Sequence, residues 1–238
     1  MPVISKKLNH YNLLLLLVIV VAFTACNSSK QSQAKQSPEQ IEYLNSINKR
    51  SAKIVAGLGI TDSAKFHKVS DVIAAQYINL KNIDEKADEQ KIAVKEKFSG
   101  NKIEAEAQIK NIDRATEVKK TTLHGDFLKR LGKYLNAAQI EKVKDGLTYG
   151  VLPITYKGYL DMIPTLKAEE KQYIYDALVE AREKAMDGGS SDEKHGVFGK
   201  YKGRINNYLS ARGYNLTKER EEWNKRIEAT KKNNSTNK

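Results

Sequence analysis

The chain has 238 residues, with 41 basic and 29 acidic side chains, a formal net charge of +12 and a single cysteine. One cysteine excludes an internal disulfide framework, and 4 prolines without long alternating β-branched runs argue against a β-sheet protein. Because helix-forming residues dominate, the sequence predicts an all-α bundle of about six to seven helices, forming a single domain over residues 38–232.

The N-terminal segment has the pattern of a bacterial lipoprotein signal. Two lysines precede an apolar run over 13–23, which at about 11 residues is too short for a bilayer-spanning helix of about 20. Small residues come directly before Cys26, as in a lipobox, where the cysteine sulfur is acylated. We therefore predict a signal peptide over 1–25, a lipidated Cys26 and a disordered polar tether over 26–37. An uncleaved membrane anchor is the alternative.

The predicted export and the net positive charge together restrict the chemical classes of partner that the protein is expected to bind. Without Lys6 and Lys7 the chain keeps 39 basic against 29 acidic side chains. Such a balance favours an anionic partner, and for an exported lipoprotein this means acidic glycan or lipid headgroups rather than nucleic acid. No acidic run follows Cys26, which favours a periplasm-facing position in a Gram-negative envelope. The choice between inner and outer membrane stays open.

Two long helices are predicted in the first half of the chain. After a first helix that starts at Ser37-Pro38 and ends near Gly57, a second runs from Thr61 or Asp62 to Ser99. A third returns after Asn101. Because charges alternate around the turn at 99–101, we predict a long antiparallel hairpin that projects from the body.

A weak repeat marks three helix starts. Residues 135–139 (LNAAQ) precede Val143, residues 166–170 (LKAEE) precede Ile174, and residues 60–64 (ITDSA) form a looser copy. The pattern is an apolar residue, a cap and then a carboxylate or amide, which predicts helix starts. It also resembles the Leu-Thr-x-x-Gln repeat of small periplasmic stress chaperones.

The second half of the chain contains one unusual segment. Residues 149–164 (YGVLPITYKGYLDMIP) hold two prolines and two glycines, so we predict an irregular connection with a short helix over 155–162. The remaining predicted segments are a helix over 166–186, a flexible break over 188–192, helices over 197–211 and 217–230, and a disordered tail over 233–238.

No motif for catalysis, a cofactor or a metal is found. The histidines of the mature chain, His67, His124 and His195, lack the spacing of paired metal ligands. No phosphate-binding loop and no nucleophile elbow occurs. The sequence therefore predicts no catalytic residue, no cofactor and no metal. A lyase or hydrolase on a helical fold would need a buried carboxylate pair with raised pKa values.

Tyrosine is the strongest sign of a binding surface, with 12 tyrosines against 5 phenylalanines. Tyrosine rings stack on sugar faces and offer a hydroxyl, and neighbouring cations suit an acidic sugar. The predicted ligand-binding residues are Tyr149, Tyr156, Lys157, Tyr159, Tyr214 and Trp223. The alternative is that these rings pack between helices.

Two runs carry a family resemblance: IPTLKAEE over 163–170 and AREKAMD over 181–187. With the segments around them they resemble a family of exported bacterial proteins catalogued as a domain of unknown function, over most of residues 40–230. That family is described as sugar-binding and occurs near polysaccharide-degradation genes. Members tend to carry a Pro- and Gly-bearing loop where this chain has its charged hairpin.

Two function classes follow. The first is a non-catalytic glycan-binding or accessory lipoprotein of polysaccharide utilisation, anchored in the membrane by its lipid. The second is a helical periplasmic chaperone or envelope scaffold that binds protein or anionic lipid through the hairpin. An exposed groove at Tyr156, Lys157 and Tyr159 would favour the first, and a concave apolar face on the hairpin the second.

Overall fold

A computed structural model describes residues 37–236, and residues 41–236 belong to one compact unit. Every element within the described range is an α-helix, which confirms the all-α prediction, with one helix more than expected. The helices are α1 Pro38–Ala56, α2 Ser63–Lys97, α3 Lys102–Gly132, α4 Ala137–Leu147, α5 Val151–Met162, α6 Ala168–Met186, α7 Ser191–Ala211 and α8 Leu216–Thr236. None of these eight helices is long and apolar enough to cross a membrane. The predicted signal peptide, Cys26 and the tether up to residue 36 lie outside the described residues.

The three copies of the weak sequence repeat form the N-terminal ends of helices α2, α4 and α6. The Asn136 side chain accepts from the backbone N–H of Gln139 at 2.9 Å, and the Gln139 side chain accepts from that of Asn136 at 3.3 Å, which forms a capping box. At the start of α6, Glu170 accepts from the backbone N–H of Lys167 at 2.8 Å. Asp62 caps α2 by accepting from Lys65 N–H at 2.8 Å.

In the looser copy, Val69 comes nine positions after Ile60, whereas Val143 comes eight positions after Leu135, and the cap positions explain this difference. The N-caps are Asp62, Asn136 and Lys167. Seven positions after each cap lies a fully buried apolar residue, and these are Val69, Val143 and Ile174. The cap of α2 is therefore Asp62 rather than Thr61, and the three starts share one register.

The long helices α2 and α3 contact each other, and α3 begins after its N-cap residue, Asn101. Lys91 Nζ lies 2.7 Å from Asp113, and Lys120 Nζ lies 2.6 Å from Asp84. Residue numbers rise along one helix as they fall along the other across these two pairs, which is the order of antiparallel neighbours.

Three predicted boundaries in the second half are wrong. Helix α5 begins at Val151 rather than near residue 155, so most of the segment 149–164 is helical. Pro153 is tolerated because it lies in the first turn, where its missing N–H would have no partner within the helix. Helix α7 begins at Ser191, with the Ser190 hydroxyl accepting from Glu193 N–H at 3.1 Å, so the break is shorter than expected. Helix α8 continues to Thr236, beyond its predicted end.

The apolar core has two clusters. One is formed by α5, α6 and α7, around the fully buried Ile174, Leu178 and Ile205. The other is formed by α1 to α4 and includes Val55 and Phe127. Met186 of α6 is packed in the second cluster. Helices α4 and α6 also contact each other, so their contact connects the two clusters.

Candidate functional site

A cleft of about 640 Å³ lies between α1, α2, α4 and Tyr149 in the turn after α4. Its volume falls within the range of about 300–1,000 Å³ that is usual for small-molecule sites. The walls combine apolar and charged side chains. The residues that give the cleft its character are Arg50, Lys53, Tyr77, Lys142, Asp145 and Tyr149.

The cleft carries an excess of positive charge. Within the part of the chain that the structure describes, Arg50, Lys53 and Lys142 have no ion-pair partner. Asp145 is the acidic residue among those that line the cleft, and it accepts a hydrogen bond from Arg182 at 2.7 Å. Three cations are therefore free to meet an anionic ligand, since the carboxylate beside them is already engaged.

Tyr149 forms one rim of the cleft in a strained conformation. It follows the C-cap of α4, and its φ of 58° is left-handed, where glycine is favoured. The turn is a Schellman motif, since Gly150 N–H donates to Asp145 O at 2.8 Å and Tyr149 N–H to Gly146 O. The half-exposed ring stacks on His195, with centroids 5.5 Å apart and planes 12° apart. A strained residue that presents a flat ring at a cleft is a candidate for function.

Tyr77 forms the wall between the cleft and a buried lysine. Burial raises the pKa of the Tyr77 hydroxyl to about 12. Behind it, Lys194 Nζ lies 5.8 Å from the Tyr77 ring centroid and donates to Met186 O at 3.1 Å. Burial lowers the pKa of Lys194 to about 8. Packing and the neighbouring Lys194 ammonium group therefore hold the Tyr77 ring in place.

Of the predicted ligand-binding residues, Tyr149 lines this cleft, and the α5 residues do not. Tyr159 is 7% exposed and its hydroxyl donates to Asn206 at 2.7 Å. Burial raises the pKa of Tyr159 to about 12. Tyr156 packs edge-on against Tyr175, and Lys157 is exposed and paired with Asp161. At Tyr159 the structure thus shows the alternative interpretation, a ring packed between helices.

The remaining two predicted residues lie elsewhere. Tyr214 donates to Glu170 at 2.7 Å, which raises the pKa of its hydroxyl. Trp223 is partly buried against the α5–α7 cluster and borders a shallow cavity of about 320 Å³ with Arg226. The structure therefore does not bring the six predicted residues into one site.

A second cleft, of about 690 Å³, contains a charged network centred on His124. His124 Nδ1 lies 3.0 Å from Asp187, and Nε2 lies 3.7 Å from Glu183. Hydrogen bonds to Asp187 and Glu183 raise the pKa of His124 to about 9. Burial alone would raise the pKa of Glu183, but hydrogen bonds from His124 and Lys144 lower it to about 2. The Glu183 carboxylate is therefore held ionised, whereas a glycosidase acid needs a raised pKa.

Sequence reasoning missed five of the six residues that give the first cleft its character: Arg50, Lys53, Tyr77, Lys142 and Asp145. Arg50 and Lys53 are three positions apart on α1 beside the apolar Ile54, which was the one local sign that they share a helix face. Nothing in the sequence shows that α2 and α4 complete the site.

Fold and cleft together define an all-α protein with a cationic cleft lined by Tyr77 and Tyr149. The chain belongs to the family described as a protein of unknown function, DUF3826, whose model matches residues 44–229. A comparison with curated proteins gives no match. The matched range contains every residue of the cleft. The predicted membership of a family of unknown function is confirmed, and sugar binding stays a prediction.

Proposed function

We propose that the protein is a non-catalytic, lipid-anchored envelope protein that binds an acidic glycan in the cleft between α1, α2 and α4. The observation that carries the proposal is a set of three cations that have no ion-pair partner among the described residues and that lie beside the strained Tyr149 ring. Cations and a flat ring at one cleft match the two features of a uronic acid unit, its carboxylate and its CH-rich face.

Each group in the cleft has a role in this proposal. The Arg50 guanidinium binds a carboxylate through two parallel hydrogen bonds, and Lys53 and Lys142 add point charges. Tyr149 supplies the stacking face, and His195 behind it fixes the plane of the ring. Asp145 excludes a second carboxylate from its own side of the cleft by repulsion.

The envelope location and the accessory role in polysaccharide utilisation are part of the same proposal. They are supported by the lipobox pattern at Cys26, by the basic balance of the chain and by the resemblance described above. Acyl chains on Cys26 would anchor the protein to the membrane, with the polar tether as spacer and the folded domain facing the periplasm.

A titration tests the glycan proposal. The chain beginning after Cys26 retains the whole compact unit, and we would titrate it with polygalacturonate and with a neutral glycan. We expect saturable binding of polygalacturonate that persists at about 0.15 M salt, where exposed charges are screened beyond about 8 Å. The double variant Arg50→Gln/Lys53→Gln and the single variant Tyr149→Ala should each lose at least tenfold in affinity.

The control is Lys157→Gln, which removes an exposed charge outside the cleft. It should leave the affinity unchanged. Equal losses in the cleft and control variants, or equal binding of any polyanion, would mean that only the net charge of the chain is being measured, and would overturn the proposal.

A second candidate function rests on α2 and α3, taken as a projecting antiparallel hairpin that binds a protein partner. Its support is the exposure of Ile92, Ile103 and Val118, which are 56%, 83% and 67% exposed. Apolar side chains at this exposure suit a chaperone or scaffold surface. The double variant Ile92→Ser/Ile103→Ser should abolish suppression of aggregation of an unfolded client protein, and an unchanged activity would exclude this candidate.

A further inference from the structure

The start of α2 and the end of α3 form a continuous basic surface. Lys65 and Lys68 surround a shallow cavity of about 260 Å³ together with Lys133 and Tyr134. Lys133 also borders a second cavity, of about 530 Å³, together with Lys129 and Arg130. Because Lys133 belongs to both cavities, the five basic residues make one surface, which we call the basic end.

The positive charge of the basic end is only partly neutralised locally, since two carboxylates accompany its five cations. Within the described residues, Lys65, Lys68 and Lys133 have no ion-pair partner. The carboxylate of Asp62 is engaged as the cap of α2, and Asp126 lies 3.5 Å from Lys129. The N-terminus of α2 adds the partial positive charge of the helix dipole.

Arg130 strengthens the case for an external anion. Its Nε is buried and has no hydrogen-bond partner in the described part of the chain. A buried donor of this kind is uncommon, and a guanidinium whose Nε lacks an internal acceptor can still donate through its terminal nitrogens to an anion at the surface.

We propose that the basic end docks on an anionic membrane surface, where its lysines bind the phosphates of phospholipid headgroups. The basic end shares no residue with the glycan cleft, so the docking proposal does not depend on glycan binding, but it rests on the proposed envelope location of the chain. For a lipid-anchored chain it would supply the second signal that makes attachment firm and sets the orientation of the domain.

The chemistry of the basic end favours lipid over glycan. Four of its five cations are lysines, which bind phosphate as point charges and need no fixed geometry. Tyr134 is the aromatic residue at these two cavities, whereas the glycan cleft has the stacked Tyr149 face. Both cavities are shallow, as suits contact with a broad charged plane rather than enclosure of a sugar ring.

The expected effect follows from the charge. Each Lys or Arg near an anionic bilayer contributes about fivefold to the partition coefficient, so the loss of three should lower it about 100-fold. The attraction decays within a Debye length, so raising the salt should weaken it further.

Vesicle sedimentation tests the proposal. The chain beginning after Cys26 would be mixed with vesicles of phosphatidylcholine alone, or of three parts phosphatidylcholine to one part phosphatidylglycerol. We expect binding to the anionic vesicles only, and a loss of about 100-fold in the triple variant Lys65→Gln/Lys68→Gln/Lys133→Gln. A helical circular dichroism spectrum like that of the parent chain confirms that this variant is folded.

A matched control removes the same number of positive charges from residues outside the basic end. Lys95→Gln/Lys110→Gln/Lys119→Gln replaces three exposed lysines of α2 and α3 and should bind nearly as the parent chain does. Equal losses in the two triple variants, binding to neutral vesicles, or no vesicle binding at all would each overturn the proposal. So would a basic-end variant that binds vesicles normally but loses polygalacturonate, because the surface would then be a glycan site.

Discussion

Tyr149 combines a backbone penalty with a favourable side-chain contact. Its left-handed φ of 58° costs a residue with a Cβ about 1–2 kcal/mol relative to glycine. The stacking of its ring on His195 stabilises the folded state by about 0.5–1.5 kcal/mol. Glycine would satisfy the turn without this penalty, so the tyrosine is better explained by what its ring does at the cleft than by stability.

This balance predicts an ordered set of stabilities at position 149. Tyr149→Ala keeps the backbone penalty and loses the stack, whereas Tyr149→Gly loses both. We therefore expect the glycine variant to unfold in denaturant with a free energy about 1 kcal/mol higher than the alanine variant, although both lose the ring. Equal free energies of unfolding for the two variants would show that the left-handed backbone is not strained.

His124 makes stability depend on alkaline pH. The pKa of His124 is raised from about 6.5 in the unfolded chain to about 9 by Asp187 and Glu183. Its contribution is therefore fully present below pH 6.5 and is lost as the pH rises towards 9. We expect the free energy of unfolding to fall by up to about 3 kcal/mol across this window.

The His124→Gln variant is the control for this titration, since glutamine has no charge to lose. Lys194 titrates in the opposite sense, because its lowered pKa of about 8 adds stability as the pH rises further. The difference between the parent chain and His124→Gln removes the Lys194 contribution. If that difference stays flat between pH 6.5 and 9, the imidazolium does not hold α3 to α6.

At the scale of the elements, the contact between α1 and α4 shapes the cleft. A Cβ added to Gly146 would lie 2.9 Å from Ile54 Cγ1 and 3.0 Å from its Cγ2. The Ile54 side chain is β-branched and stiff, so it cannot move aside easily. Gly146 is thus a close approach that a larger residue would open.

We expect Gly146→Ala to destabilise the protein by about 1–3 kcal/mol, because overpacking outweighs the better helix propensity of alanine. It should also weaken ligand binding, since Gly146 and Ile54 both line the cleft. The matched control is Gly203→Ala in α7, where no atom lies within 4 Å of the added Cβ. Thermal unfolding should show the control to be more stable than the parent, by about 0.5–1 kcal/mol.

Local caps made the helix starts at Asp62 and Asn136 predictable, whereas the Ser190 cap of α7 was not recognised. Asp62 and Asn136 predict the starts of their helices because an N-cap involves only residues three positions apart in sequence. The starts of α5 and α7 were missed because Pro153 and Gly196 lower helix propensity there. The buried Leu152 and Phe198 are the packing contacts that offset this propensity.

The site was less predictable than the fold, for a reason of topology. Arg50, Tyr77 and Lys142 come from three helices, and periodicity shows which face of each is apolar but not which helix it meets. Tyr149 was found because tyrosine enrichment is a local signal. Tyr159 was placed in the site by the same signal, but its burial against α7 depends on contacts that are distant in sequence.

At the scale of the whole molecule, Arg182 joins the two core clusters. It lies on α6, is 3% exposed, and binds Asp145 of α4 at 2.7 Å together with Glu141 of α4. The Asp145 and Glu141 side chains are 31% and 48% exposed, so the ion pair is only partly desolvated, and its loss should cost less than the about 3–5 kcal/mol typical of a fully buried pair. Arg182 therefore stabilises the contact between halves of the chain that otherwise have cores of their own.

This arrangement predicts a loss of cooperativity in Arg182→Met. Trp223 is the only tryptophan, and it packs on the α5–α7 cluster, so its fluorescence reports that cluster, whereas far-ultraviolet circular dichroism reports all helices. In the parent chain the two signals should change together with denaturant. In Arg182→Met we expect the circular dichroism signal to begin its loss first, as α1 to α4 unfold before the Trp223 region.

The control is Arg204→Met, which removes an exposed pair with Glu180 within the α5–α7 cluster and should cost less than about 1 kcal/mol. Coincident transitions in Arg182→Met would show that apolar contacts such as Met186 join the two clusters without the arginine.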